Sequence, residues 1–294
     1  MILLVVPGVT AVAASLAAAL LHRRLRPAVA VPVLTMLSTM SALAVLWSLA
    51  LLVVGLVGHI AWISERAGWC RALAHAHDAI PPVAGIAAIA ALAASAFSIV
   101  RHERRRPRLD AAVDGDHELV VLPGDEPTAY ALPGRPGHIV VSVGMIRALD
   151  ESERRVLLAH ERAHLRHGHH RYLRVADLVA AALPLLRPIS DRVRFATERW
   201  ADEVAADTVG DRTLTARAIT RAALATTSAG VSPTLAMAAL GVPARIDALL
   251  DDQPGGPRRM TALTVTSLVA LVTAAGSTVQ FHHLLAFASR LCGD

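Results

Sequence analysis

Apolar residues along this chain are gathered into long blocks. Residues 2–21, 32–58, 79–100 and 261–281 are nearly unbroken runs dominated by Ala, Leu, Val and Ile. Each is near or above the roughly 20 residues that a membrane-spanning helix requires. The first has the length of a secretory leader, but Arg23, Arg24 and Arg26 follow its apolar run instead of preceding it, so it is expected to remain as a span. Between the third and fourth blocks the pattern changes. His117 to Leu122, Thr128 to Leu132 and Gly137 to Val143 read as short strands separated by Pro-Gly turns. A helix follows: Asp150 with Glu153 forms a capping box, Val156, Leu157 and Ala163 supply apolar positions, and Gly168 stops it after His167. A second helical pattern opens at Ser190, runs through Val193, Ala196, Trp200, Val204 and Ala205, and stops at Gly210. Between the two, Val175 to Leu186 is apolar but too short to span, so it either packs under the first helix or leans on a bilayer. Pro184 and Pro188 end that segment before the next helix begins.

The charges orient these blocks. Arg23, Arg24 and Arg26 follow the first span, Arg101, Arg104, Arg105, Arg106 and Arg108 follow the third, and Arg258 and Arg259 precede the fourth. All three groups belong on the cytoplasmic side. The loop between the second and third spans balances Arg66 and Arg71 with Glu65 and Asp78, so it faces outward together with both termini. The expected architecture is mainly α: a multi-pass cell-membrane protein with three spans in residues 1–101, a cytoplasmic α+β domain with a small sheet in 102–258, and a fourth span with a short outer tail in 259–294.

Composition agrees with this. Of 294 residues 54% are hydrophobic but only 3% aromatic, and the net charge of +5 is carried without a single lysine. The arginines sit where membrane topology wants them, with no aromatic residues interleaved on a basic face, so direct nucleic-acid binding is not expected. No Ser, His and Asp meet at a nucleophile elbow, which sets aside a serine hydrolase.

The chemistry lies in His160-Glu161-Arg162-Ala163-His164 on the first helix. Two imidazoles four residues apart sit one turn above each other and can share one metal ion, while Glu161 is offset enough to touch a water held there without becoming a ligand. A catalytic Zn²⁺ site needs a third protein ligand from elsewhere. On the second helix Glu198 and Asp202 are one turn apart on one face. Glu198 would complete the set and Asp202 would accept a hydrogen bond from a ligand histidine; by itself Glu198 is more often an ordinary acid on an arginine-rich helix, and the upstream motif reverses that balance. Arg154, Arg155, Arg162 and Arg166 flank the motif and would be costly in lipid, so the site lies outside the bilayer.

The run from His138 to Ile146, the segment Asp150 to Glu161, and Glu198-Arg199-Trp200-Ala201-Asp202 together resemble the gluzincin membrane metallopeptidases, the BlaR/MecR-type antirepressor peptidases and, more distantly, the HtpX-type enzymes. The resemblance implies His160, His164 and Glu198 as zinc ligands, Glu161 as general base, Asp202 as the partner of a ligand histidine, and a substrate such as a cytoplasmic winged-helix repressor. It also implies that a strand beside the cleft pairs with substrate, for which Ala129 to Leu132 is the candidate. Without lysine there is no S-x-x-K acylation motif, so the penicillin-sensing domain of the classical sensors is not expected and a separate sensor protein would be needed. The HtpX-type alternative is a quality-control protease. An alternative of another class is a non-catalytic zinc-binding transducer with a closed site.

Cys70 and Cys292 both fall on the outer side of this topology, where a disulfide between them or two separate thiols are equally open. His167, His169 and His170 cluster past the motif helix and are expected to be solvated, with an oxyanion-stabilising role or a second metal as the functional alternatives.

Overall fold

A computed structural model describes residues 25–57, 81–106, 117–228 and 241–251, with the isolated positions 9, 12, 13 and 279. Apart from those isolated positions, the expected spans 2–21 and 261–281 lie outside the described residues, as do both cysteines.

Two long apolar helices come first, α1 (Pro27–Val57) and α2 (Pro82–Arg105). Both are long and apolar enough to cross a membrane. Helix α1 begins before the expected boundary and passes through Pro32. As the sixth residue of the helix it has no N–H to donate to Ala28 O, so one helical hydrogen bond is absent there. The hydroxyls that interrupt α1 turn back onto its own carbonyls: Thr35 Oγ1 donates to Val31 O at 2.8 Å and Ser41 Oγ to Leu37 O at 2.9 Å. Large apolar side chains point outward from both helices, among them Leu43 and Trp47 on α1 and Ile86 and Phe97 on α2. The helices meet closely at Gly85, where an added Cβ would collide with Leu56 Cβ and lie 3.1 Å from Leu52 O.

The mixed part opens with β1 (Leu119–Leu122), β2 (Ala129–Leu132) and β3 (His138–Ser142), in the order β1-β3-β2. Central β3 is buried along its whole length; it runs parallel to β1 and antiparallel to β2, with Tyr130 opposite Val140. Short α3 (Val143–Ala148) leads into α4 (Glu151–Arg166), then α5 (His169–Ala182), a 3₁₀ turn at Pro184–Leu186, α6 (Arg187–Val209), α7 (Arg212–Ser228) and α8 (Val242–Leu250). Helix α6 starts three residues before the expected Ser190. Pro188 sits in its first turn, where a proline is tolerated, so it opens the helix instead of preceding it.

The apolar segment 175–186 packs neither mainly under α4 nor on lipid alone. Ala176 and Val179 of α5 join Ile189, Val193 and Ala196 of α6 against Ala30, Val31, Leu34 and Leu37 of α1. Ser95 Oγ of α2 donates to Ala182 O at 2.8 Å. Helix α6 therefore carries two functions along its length: its first half belongs to the core shared with α1, and its second half faces α4.

Candidate metal centre

The motif helix is fixed at its start. Asp150 Oδ1 accepts from Glu153 N at 2.9 Å and Glu153 Oε2 accepts from Asp150 N at 3.0 Å, the anticipated capping box. Fully buried Glu153 also accepts from Arg217 Nε at 3.2 Å and Arg221 Nη1 at 2.8 Å, both on α7. This ties the wall of the cleft to the root of α4.

One turn apart on α4, His160 and His164 bring their Nε2 atoms to 3.1 Å. Glu198 of α6 places Oε2 at 3.6 Å from His160 Nε2 and Oε1 at 3.7 Å from His164 Nε2. Among the described residues these three form a group whose donor atoms all lie within 4.8 Å of one another. Two ligands held about 2.0–2.1 Å from one tetrahedral ion stand roughly 3.3 Å apart, so the spacing fits zinc.

The outer nitrogens are also anchored. Asp202 Oδ1 lies 3.0 Å from His160 Nδ1, and His169 Nδ1 lies 3.1 Å from His164 Nδ1. Each contact turns the far nitrogen toward the common point. His169 departs from expectation: it is completely buried, set edge-on to His164 and close to Trp200. His167 and His170 keep partial exposure.

Sequence reasoning missed Arg245. From α8 it donates Nε to Asp202 Oδ2 and Nη2 to Asp202 Oδ1, each at 2.7 Å, and Nη1 approaches Glu198 Oε2 at 3.2 Å. Its one sequence signal is an arginine within the otherwise apolar Val242-Pro243-Ala244 and Ile246 stretch. Burial works against both carboxylates, yet the Arg245 charge, reinforced by the histidines, holds Glu198 well below the usual range and Asp202 below it too.

The histidines separate electrostatically. Burial opposes charge on His160, but the Asp202 and Glu198 carboxylates, as acceptors of its hydrogen bonds and as negative charges, overcome it and raise its pKa to about 10. Burial dominates at His164, lowered to about 4. Glu161 is 8% exposed, and its pKa rises to about 7 through burial, with the Glu198 charge adding to it; His160, the Ala131 amide and Arg245 pull the other way. A carboxylate near neutrality can both accept and return a proton.

The cleft beside this cluster encloses about 170 Å³. Pro127 to Ala129 form one side, Val156, Leu157, His160 and Glu161 the floor, and Ala218, Ile219 and Ala222 of α7 the opposite wall. Strand β2 is the sheet edge next to it. Thr128 O accepts from Ser142 N at 2.9 Å, so by alternation Tyr130 and Leu132 bond β3 while the backbone groups of Ala129 and Ala131 point away from it. The Ala131 amide is the one that reaches Glu161.

Residues 109–187 match Peptidase family M48, a stretch holding the sheet, α4 and α5 but ending before Glu198. Over 90 residues the chain is 33% identical to a protein described as "Protease HtpX homolog" from Acidiphilium cryptum (strain JF-5); the match covers 27% of this chain and 31% of that protein. The chain thus spans about a third of the length of that relative. No solved structure matches it.

Proposed function

We propose that this chain is a membrane-anchored zinc endopeptidase acting on a cytoplasmic protein, with His160, His164 and Glu198 as ligands. The observation that carries the reading is the convergence of three donors on one point, beside a buried carboxylate and an open cleft. When bound, zinc supplies a Lewis acid that activates water at neutral pH and polarises a carbonyl.

The chain's residues do the remainder. The edge of β2 offers the amide and carbonyl of Ala129 to an extended substrate backbone. The apolar α7 wall excludes water around the scissile bond. A Glu161 carboxylate oxygen takes the proton from the attacking water and delivers it to the departing amine. Asp202 and His169 hold the ligand rings, and Arg245 neutralises the two acids that would otherwise repel each other.

We further propose the cytoplasmic placement of this domain, both termini outside, and a transcriptional repressor as substrate, with a separate protein as sensor. Helix α5, only 14 residues, connects the motif helix to the Glu198 helix without a further pair of spans, which favours the antirepressor type. A quality-control protease is the second reading, favoured by the similarity to the HtpX homologue. A non-catalytic transducer fits less well, because among the described residues the donor set stops at three beside an open cleft. Comparing newly formed N-termini in cells carrying the wild type with those in cells carrying Glu161→Ala tests the reading. A cut in a repressor that requires Glu161 supports the antirepressor role; cuts confined to damaged membrane proteins reassign the chain to quality control.

A further inference from the structure

On the side of α4 away from α7, a groove of about 1740 Å³ lies between the end of α2, the β2–β3 turn, the end of α4 and the start of α5. Seven arginines and two glutamates line it. Arg162 pairs with Glu118 at 2.7 Å and Arg174 with Glu103 at 3.1 Å. The other five, Arg104, Arg106, Arg135, Arg166 and Arg171, have no carboxylate within ion-pair distance among the described residues. They come from four separate elements, so the positive charge that flanks a span accounts for Arg104 and Arg106 but not for the rest.

The groove is also amphipathic along its length. Ile99 and Val100, on the last apolar turns of α2, line it together with Leu132, Leu165 and Tyr172. Phe97 and Val100 are exposed, continuing an apolar track down α2. A ligand that meets both the arginines and the apolar residues that run up α2 has an anionic head and an apolar tail.

We propose that this groove binds one anionic phospholipid, its phosphate among Arg106, Arg135, Arg166 and Arg171 and its acyl chain along α2. The inference rests on reading α2 as a membrane helix. Guanidinium groups suit a phosphate because they donate paired hydrogen bonds and stay charged. The floor of the groove is the outer face of α4, so an occupied site braces the helix that carries His160 and His164.

The test uses the full chain in phosphatidylcholine nanodiscs doped with phosphatidylglycerol, with retained lipid counted by native mass spectrometry. Arg166→Ala combined with Arg171→Ala should weaken phosphatidylglycerol retention by roughly 25-fold, about fivefold per arginine. Arg166→Lys with Arg171→Lys should keep most of it. Arg101→Ala with Arg105→Ala removes the same charge from the same flank outside the groove and should leave retention unchanged. Equal loss in both alanine pairs would reduce the effect to general surface attraction and overturn the site. So would retention unaffected by Arg166→Ala and Arg171→Ala, or full displacement by millimolar inorganic phosphate, which would assign the groove to free phosphate. A chain that stays in the aqueous phase without detergent would instead refute the membrane reading of α2.

Discussion

Replacing Arg245 with Leu removes a buried cation while keeping an apolar stem in its place. Arg245 makes two 2.7 Å hydrogen bonds to Asp202 and a 3.2 Å contact with Glu198, and its side chain is 9% exposed. Removing one partner from such a pair leaves uncompensated buried charge, a loss of about 3–5 kcal/mol. At roughly 2–4 °C per kcal/mol for a domain of this size, zinc-free Arg245→Leu should unfold roughly 6–20 °C below the wild type. Zinc changes the balance. With a divalent cation on Glu198 the cluster is no longer short of positive charge, so the variant should bind zinc more tightly than the wild type and the penalty should shrink when zinc is bound. Thermal unfolding of the detergent-solubilised full chain, with zinc or with chelator, measures both differences. An equal penalty under the two conditions would refute the reasoning, since Arg245 would then act by packing alone.

Other consequences follow from the same cluster and from the helix pair. His169→Ala removes the partner of His164 Nδ1 and should weaken zinc affinity roughly 10–100-fold in a chelator competition; unchanged affinity would remove His169 from the site. Because His160 is raised from 6.5 to about 10, its protonated form stabilises the zinc-free fold fully below pH 6.5, and that contribution is lost as pH rises through 10. Zinc must displace that proton, so unfolding with chelator should show falling stability over this window, the zinc-loaded protein should not, and affinity should rise with pH. Gly85→Leu should overpack the α1–α2 contact at Leu56 and Leu52, lowering stability by about 1–3 kcal/mol, whereas an unchanged unfolding temperature would mean that the helices separate freely.

Much of this architecture was legible in the sequence because it depends on local pattern. The capping box at Asp150 and Glu153, the three short strands and the alignment of Glu198 with Asp202 follow from neighbours a few residues apart. What sequence reasoning missed depends on long-range packing. Arg245 reaches Asp202 across 43 positions, and nothing near it in the chain announces a buried acid. His169 looked solvated beside His167 and His170 because the left-handed turn at Gly168 and the Trp200 ring that enclose it are not apparent from local pattern. The segment from Val175 to Leu186 carried the right apolarity but not its partner, since only the folded chain brings Leu34 and Val193 against it. That packing also joins the Glu198 helix to α1.

The central claim is that His160, His164 and Glu198 hold zinc for a reaction in which Glu161 moves the proton. Its most direct measurement is zinc content and protein cleavage, determined side by side on purified wild type, Glu161→Ala and His160→Ala. The account predicts one zinc per chain in the first two, cleavage only by the wild type at a rate about 10²- to 10⁴-fold above Glu161→Ala, and neither property in His160→Ala. Undiminished cleavage by Glu161→Ala, or full zinc in His160→Ala, would contradict it.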